Sequence, residues 1–337
     1  MSAPRVALAS DAWNLPEFEY AGTHIVTKAM LDAARVAGVY AYPLQRRSYY
    51  HRRIGGTLGP LAYQMLSTYP TYDVVHEATP FASRGADVVS IHDTIPFFCP
   101  NSADVFFRWK VTYSLRRAKR VIVTTDWMGD EIAKRFPWAR PKLRTISYPF
   151  EIPTLQRATV TPFDALWVGR LAPNKNPLLY FKLADAFPDK FFVLRGPPSS
   201  RHPAYGRQVR AACPANVITL PLLSTGDRNM LYECVPIIVS TSGHEGFHLP
   251  IMEGYLRGMK VVLPYQRPYT EIYRNDAGQW ADNTYWYAPD DAESLIGAFY
   301  RAQETTARPP DPDIVKRVSH DTVGKQLRTL YEEVSRR

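Results

Sequence analysis

Ser240-Thr-Ser-Gly-His-Glu-Gly-Phe-His-Leu-Pro-Ile-Met-Glu253 follows the apolar run 235–239, and its reading decides how the chain is organised. An apolar run, a Gly- and Ser-containing loop and then a proline spell a buried strand, a tight loop and a helix opening at Pro250, because proline suits a first helical turn. Gly258 suits the end of that helix. Two carboxylates result. Glu245 lies in the loop at the carboxyl end of the strand, and Glu253 stands on the helix eight positions later. Open parallel sheets bind ligands at that end, so both are candidate ligand residues.

The same letters offer a second chemistry. His244-Glu-Gly-Phe-His248 matches H-E-x-x-H, and with Glu271 as a third ligand it would describe a zinc-dependent hydrolase. That chemistry needs both histidines on one helical face, one turn apart. Gly243, Gly246 and Pro250 bracket the segment, and Pro250 would oppose a helix through it by about 3 kcal/mol or more. Zinc therefore ranks second.

Further motifs keep a fixed order outward from this centre: Ile91-His-Asp-Thr-Ile-Pro96, Val168-Gly-Arg-Leu-Ala-Pro-Asn-Lys-Asn176, and Tyr269-Thr-Glu271 after the strand 260–263. Together with Glu245-Gly-Phe-His-Leu-Pro-x-x-Glu253 they resemble the E-x7-E group of retaining GT-B glycosyltransferases, glycosyltransferase family 4, over most of the chain. The resemblance implies two Rossmann-like, doubly wound α/β domains facing one another across a cleft. It implies transfer of a sugar from a UDP- or GDP-sugar to the hydroxyl of a saccharide or lipid-linked acceptor, with retention and without a metal or other cofactor.

Site residues follow from the same resemblance. His92 faces the transferring sugar, and Glu245 and the amides of Gly246, Phe247, His248 and Leu249 hold it. Arg170 and Lys175 clamp the donor diphosphate, where charge-assisted contacts to phosphate oxygens stabilise the departing nucleotide. Glu253 accepts from the ribose hydroxyls, and Gly22 sits in the loop that approaches the phosphates. Two departures stand out. The family usually has Gly where this chain has His248, and Pro-Asn-Gly where it has Tyr148-Pro149-Phe150.

Strand–loop–helix grammar extends in both directions. Strands are expected at 5–9, 74–75, 88–91, 120–124, 165–168, 191–194, 217–220 and 260–263, and helices at 28–36, 103–119, 126–136, 177–186 and 323–334. Asp126 reads as an N-cap. The Pro-rich stretch around 148–162 predicts a linker at 151–163, between an acceptor domain (1–150, joined by the C-terminal helix 320–337) and a nucleotide-sugar domain (164–319). A base could rest near Gly196 and residues 220–222.

Bulk composition bounds the rest. The 337 residues are 45% hydrophobic and 22% charged, as expected of two ordinary globular domains. No apolar stretch of about 18 residues occurs and the N-terminus lacks a signal-peptide pattern, so a cytoplasmic enzyme is expected. Cys99, Cys213 and Cys234 form no C-x-x-C pattern and read as reduced thiols.

The net charge of +9 is uneven, with 19 Lys and Arg against 12 Asp and Glu in residues 1–150. A positive first half and the aromatic, basic helix 103–119 suit peripheral contact with an anionic membrane. The tract 46–56, with Arg46, Arg47, Tyr49, Tyr50, Arg52 and Arg53, reads as an acceptor-binding loop. No RNA-binding motif accompanies it, which argues against nucleic acid as a partner. No persuasive D-x-D motif stands. A degenerate GT-B protein that binds nucleotide sugars without turnover is the remaining alternative.

Overall fold

The computed structural model describes residues 3–10, 22–45, 72–79, 86–94, 97, 102–154, 161–199, 201–221 and 223–335. The tract 46–56, the loop before Gly22 and Cys99 lie outside the described residues. The chain divides into two compact units, Met1–Glu151 with Lys316–Arg337, and Ile152–Val315.

The first unit carries strands β1 (Arg5–Ser10), β2 (Tyr40–Gln45), β3 (Val74–Glu77), β4 (Val88–Ser90), β5 (Arg120–Val123) and β6 (Leu143–Thr145). All pair in parallel, in the order β2-β1-β3-β4-β5-β6. Their apolar runs, such as Val6, Ala7, Leu8 and Ala9 in β1, are buried, as a parallel sheet covered on both faces requires.

Helices α1 (Gly22–Val36), α2 (Ser102–Arg117) and α3 (Asp126–Arg135) connect these strands. The cap of α3 corrects the sequence reading. Thr125, extended at φ −142°, is the N-cap, and its side chain accepts from the Met128 N–H at 3.2 Å. Asp126 is instead the first helical residue, where its charge complements the helix dipole.

The second unit carries β7 (Ala165–Val168), β8 (Phe192–Arg195), β9 (Val217–Leu220), β10 (Ile237–Val239), β11 (Lys260–Pro264) and β12 (Thr284–Tyr287). Its helices are α4 (Pro177–Asp185), α5 (Pro203–Ala211), α6 (Thr225–Glu233), α7 (Leu249–Leu256), α8 (Tyr269–Ile272) and α9 (Ala292–Glu304). The strands are again parallel, in the order β12-β11-β10-β7-β8-β9. Trp167, Tyr180, Phe192 and Phe299 anchor the core. The buried Tyr180 hydroxyl donates to the carbonyls of Ala165 and Val193, at 3.0 and 3.1 Å. Chain order reverses between β7 and β10, and such a reversal opens a crevice beyond the strand ends. Both halves of the E-x7-E stretch follow β10.

After α10 (Pro312–Arg317), helix α11 (His320–Ser335) belongs to the first unit, where it packs on α1. The fit is close. A Cβ at Gly324 would stand 2.2 Å from the Ala33 carbonyl oxygen. Inside, His76 of β3 engages Tyr331 OH of α11 through Nδ1 (2.7 Å) and Ser90 Oγ of β4 through Nε2 (2.8 Å). Burial, assisted by the charge of His92, holds this imidazole down to about 3, so it is neutral at physiological pH. At the far end of the helix, Glu333 pairs with Arg120 and, at 3.4 Å, with Arg144. Among the described residues no helix is long and apolar enough to cross a membrane.

Candidate active site

Two loops meet at the reversal between β7 and β10. The loop after β7 runs through Gly169 and Arg170 to a 3-10 turn, Pro173–Lys175, and the loop after β10 runs from Ser240 to His248. They are stitched together. Thr241 Oγ1 donates to the Lys175 carbonyl (2.8 Å) and accepts from Trp167 Nε1 (2.9 Å), and the Gly243 N–H donates to the Asn174 carbonyl (2.9 Å).

This stitching brings Lys175 and Glu245, seventy positions apart, into a buried ion pair whose side chains are 15% and 7% exposed. Burial pushes the Glu245 carboxyl upward, but the neighbouring His248 imidazole and the Lys175 ammonium, with hydrogen bonds from Lys175 and Ser242, outweigh it. The carboxyl is held down to about 2, so it is ionised.

Helix α7 begins at Leu249, with Pro250 in its first turn and His248 as its N-cap. His244 and His248 therefore both precede the helix. The shared helical face that an H-E-x-x-H zinc site needs is not formed here. No group of three or more metal-ligating side chains is gathered among the described residues.

His248 has φ 70° and ψ 69°, in the left-handed region where Gly is unstrained and other residues are disfavoured by about 1–2 kcal/mol. That accounts for Gly being at home in this position. The imidazole is turned into the core: Nδ1 lies 2.7 Å from Tyr269 OH, 3.1 Å from Ser240 Oγ and 3.4 Å from Glu245 Oε1. Burial lowers its pKa to about 4 despite the neighbouring Glu245 charge, so the ring is neutral at pH 7. His248→Gly relieves the backbone strain but empties a packed site. The expected outcome is a stability loss of about 1–2 kcal/mol with nucleoside diphosphate affinity unchanged, read by urea unfolding and nucleotide titration.

The remaining site residues are placed as follows. Gly246 and Phe247 are buried in the loop, and Leu249 opens α7. Arg170 is exposed. Glu253, in the second turn of α7, accepts from Tyr232 OH at 2.9 Å and faces Arg228 at 3.7 Å. Gly22 is the first residue of α1.

In the first unit, His92 follows β4. Its Nε2 donates to the Ala78 carbonyl, so Nδ1 accepts from Tyr148 OH at 2.6 Å. Both ring nitrogens are thus engaged. Burial drives its pKa down to about 4 against the Ala78 bond. The sequence reading quoted Ser240 and Tyr269 within its motifs but gave neither a role, and it missed Tyr232 and Arg228, which sit in no local motif that marks them.

No family model matches the chain. A curated relative, the O-antigen chain mannosyltransferase RfbU of Salmonella typhimurium, is 22% identical over 236 residues, which is 69% of this chain and 63% of that protein. The match thus spans less than two thirds of the relative's length. Among solved structures, HepE of Anabaena in complex with UDP and glucose superposes with a TM-score of 0.73 at 16% identity, over 98% of this chain and 99% of that one. Sucrose-phosphate synthase of Thermosynechococcus elongatus gives 0.72 at 15% identity, over 98% and 99%. A glycosyltransferase of Rickettsia africae gives 0.67 at 14%, over 99% of each chain. These likenesses establish the fold. It is GT-B, with two Rossmann-like domains.

Proposed function

We propose that this chain is a glycosyltransferase that moves a sugar from a nucleotide-diphosphate sugar to a hydroxyl of a saccharide or lipid-linked acceptor, with retention and without a metal ion. The observation that carries the reading is the buried Lys175–Glu245 pair at the strand-order reversal, beside the N-terminus of α7. A cation and a carboxylate held there, with Arg170 on the same loop, suit a ligand that is anionic at one end and hydroxylated at the other. The mannosyl transfer for which RfbU is named and the UDP bound by HepE support the same class.

In the proposed reaction the acceptor oxygen attacks the anomeric carbon on the face from which the diphosphate departs. The bond from that carbon to the phosphate oxygen breaks as the new glycosidic bond forms, and the acceptor proton passes to the departing diphosphate. Arg170 and Lys175 offset the charge that grows on the leaving group, together with the amides of residues 246–249. Glu245 holds sugar hydroxyls and Glu253 the ribose. His92 is assigned to the sugar being transferred, its ring fixed by Tyr148 and Ala78.

An aromatic, basic surface on the first unit supports a lipid-linked acceptor at an anionic surface. Trp109 and Trp138 are 40% and 44% exposed, and Arg116 lies 5.9 Å from the Trp138 ring.

Incubation with a panel of UDP- and GDP-sugars and with saccharide and lipid-linked acceptors, followed by mass analysis and measurement of the anomeric coupling constant, tests the proposal. The expected product is one added sugar in the donor's own anomeric configuration, formed equally in the presence of chelator. Inversion, or activity lost to chelator, overturns the mechanism. Nucleotide binding with no product from any pair identifies a binding protein instead.

A further inference from the structure

Arg195, the last residue of β8, stands at the ligand end of the second sheet, directly before Gly196. A Cβ at Gly196 would lie 1.7 Å from the Gly169 carbonyl oxygen, so the two loops pack backbone to backbone and the arginine's place is fixed. The side chain is only partly exposed, and among the described residues it makes neither a hydrogen bond nor an ion pair. Its Nε is shut away from solvent with no acceptor.

Arg228, on α6, also has a buried Nε without an acceptor, and reaches Glu253 at 3.7 Å. A third arginine, Arg257, is satisfied by the Glu253 carbonyl (3.0 Å) and Asn229 Oδ1 (2.8 Å), and lies 5.2 Å from the Tyr232 ring. Arg228 thus faces the Glu253 carboxylate and Arg257 the Glu253 backbone carbonyl, while the Arg195 side chain has no hydrogen-bond or ion-pair partner among the described residues. Burial, followed by the neighbouring Arg228 charge, works against the charged form of Arg195, while Tyr232 and Glu253 favour it. A desolvated donor group without acceptors is unfavourable, and such groups collect where a ligand supplies what the fold does not.

We infer that Arg195, supported by Arg228, reads the base of the donor nucleotide, and that the base it selects is guanine. The inference rests on the nucleotide-sugar reading above. With the sugar at Glu245, the diphosphate at residues 246–249 and the ribose at Glu253, the base is the part of the donor left to meet Arg195.

A guanidinium offers two parallel N–H groups, and guanine presents O6 and N7 side by side as two acceptors. Adenine sets an amino donor beside N7. Cytosine places an amino donor at the corresponding carbon. Uracil flanks its O4 with a C–H on one side and an N–H on the other. Guanine alone fills both prongs of the fork. A bidentate contact of this kind discriminates by about ten- to hundredfold.

Binding of GDP and UDP to the purified full chain, by calorimetry or competition, tests the assignment in wild type, Arg195→Leu and Arg195→Lys. Wild type is expected to bind GDP at least about tenfold more tightly than UDP. Arg195→Leu should bring GDP affinity down to that of UDP and leave UDP within about twofold. Arg195→Lys keeps the charge but not the fork, so it should also lose the preference, and it serves as the folded control should the leucine variant be unstable.

Equal wild-type affinity for the two nucleotides overturns the inference while leaving the nucleotide-sugar reading intact. So does equal weakening of both by Arg195→Leu, because that result makes Arg195 a counter-charge to Glu253, which contacts the ribose common to both. Failure of wild type to bind any nucleoside diphosphate overturns the nucleotide-sugar reading itself and this inference with it.

Discussion

Lys175→Ala is expected to destabilise the protein by about 3–5 kcal/mol, because it leaves the carboxylate of Glu245, 7% exposed, buried without its cation. The same substitution should weaken nucleoside diphosphate binding by about 1.5–3 kcal/mol, the scale of a hydrogen bond to a charged group. Arg170→Ala separates the two effects. Arg170 is exposed, so its loss should weaken nucleotide binding comparably and leave the urea midpoint near that of wild type.

The pH dependence has a definite sign. The Glu245 pKa is lower in the folded chain than in the unfolded one, so its contribution is complete above about 4.5 and is lost as pH falls toward about 2. In Lys175→Ala the cation is gone and burial drives the carboxyl upward, so the two proteins should converge in stability across that acid window. Adding Glu245→Gln to Lys175→Ala removes the stranded charge and should recover most of the loss. A single variant that unfolds at the wild-type urea concentration would remove Lys175 from the role assigned to it.

Gly324→Leu should be more disruptive than any surface change in α11. Even a lone Cβ there would approach the Ala33 carbonyl oxygen to 2.2 Å and the Ala37 Cβ to 3.1 Å, and both belong to the α1 side of the contact. Alanine gains up to about 1 kcal/mol of helix propensity, yet the overlap with a backbone oxygen forces the helices apart, at about 1–3 kcal/mol or more. Leucine enlarges the overlap with no further gain in propensity. Thermal unfolding of glycine, alanine and leucine forms should give midpoints in that descending order, and a leucine variant as stable as wild type would contradict the packing described.

The centre of the second unit was legible because its cues are local. Pro250, the glycines around His244 and the apolar run before Ser240 place strand, loop and helix within a residue or two of where they stand. The pairing of Glu245 with Lys175 was not legible. It depends on β10 lying beside β7, a neighbour relation set by the crossover pattern of the whole sheet.

The inward turn of His248 likewise depends on Tyr269 and Ser240 being within reach, a matter of packing. Among the strands, β2 went unread because Pro43 interrupts it. Proline is tolerated there since β2 lies at the edge of its sheet. The short edge strand β6 offered little pattern. For β12, Thr-Tyr-Trp-Tyr, a run of strong β-formers, the signal was present and passed over.

The return of α11 to the first unit sets an order for biosynthesis. A chain made from its N-terminus releases β1 to β6 early, but the helix that lies on α1 and bonds His76 through Tyr331 comes only after the whole of Ile152–Val315. The second unit can close its core while the first still shows an uncovered apolar face to solvent or to a chaperone. A chain released after residue 315 would then have one protease-resistant half, and it would be the half made later.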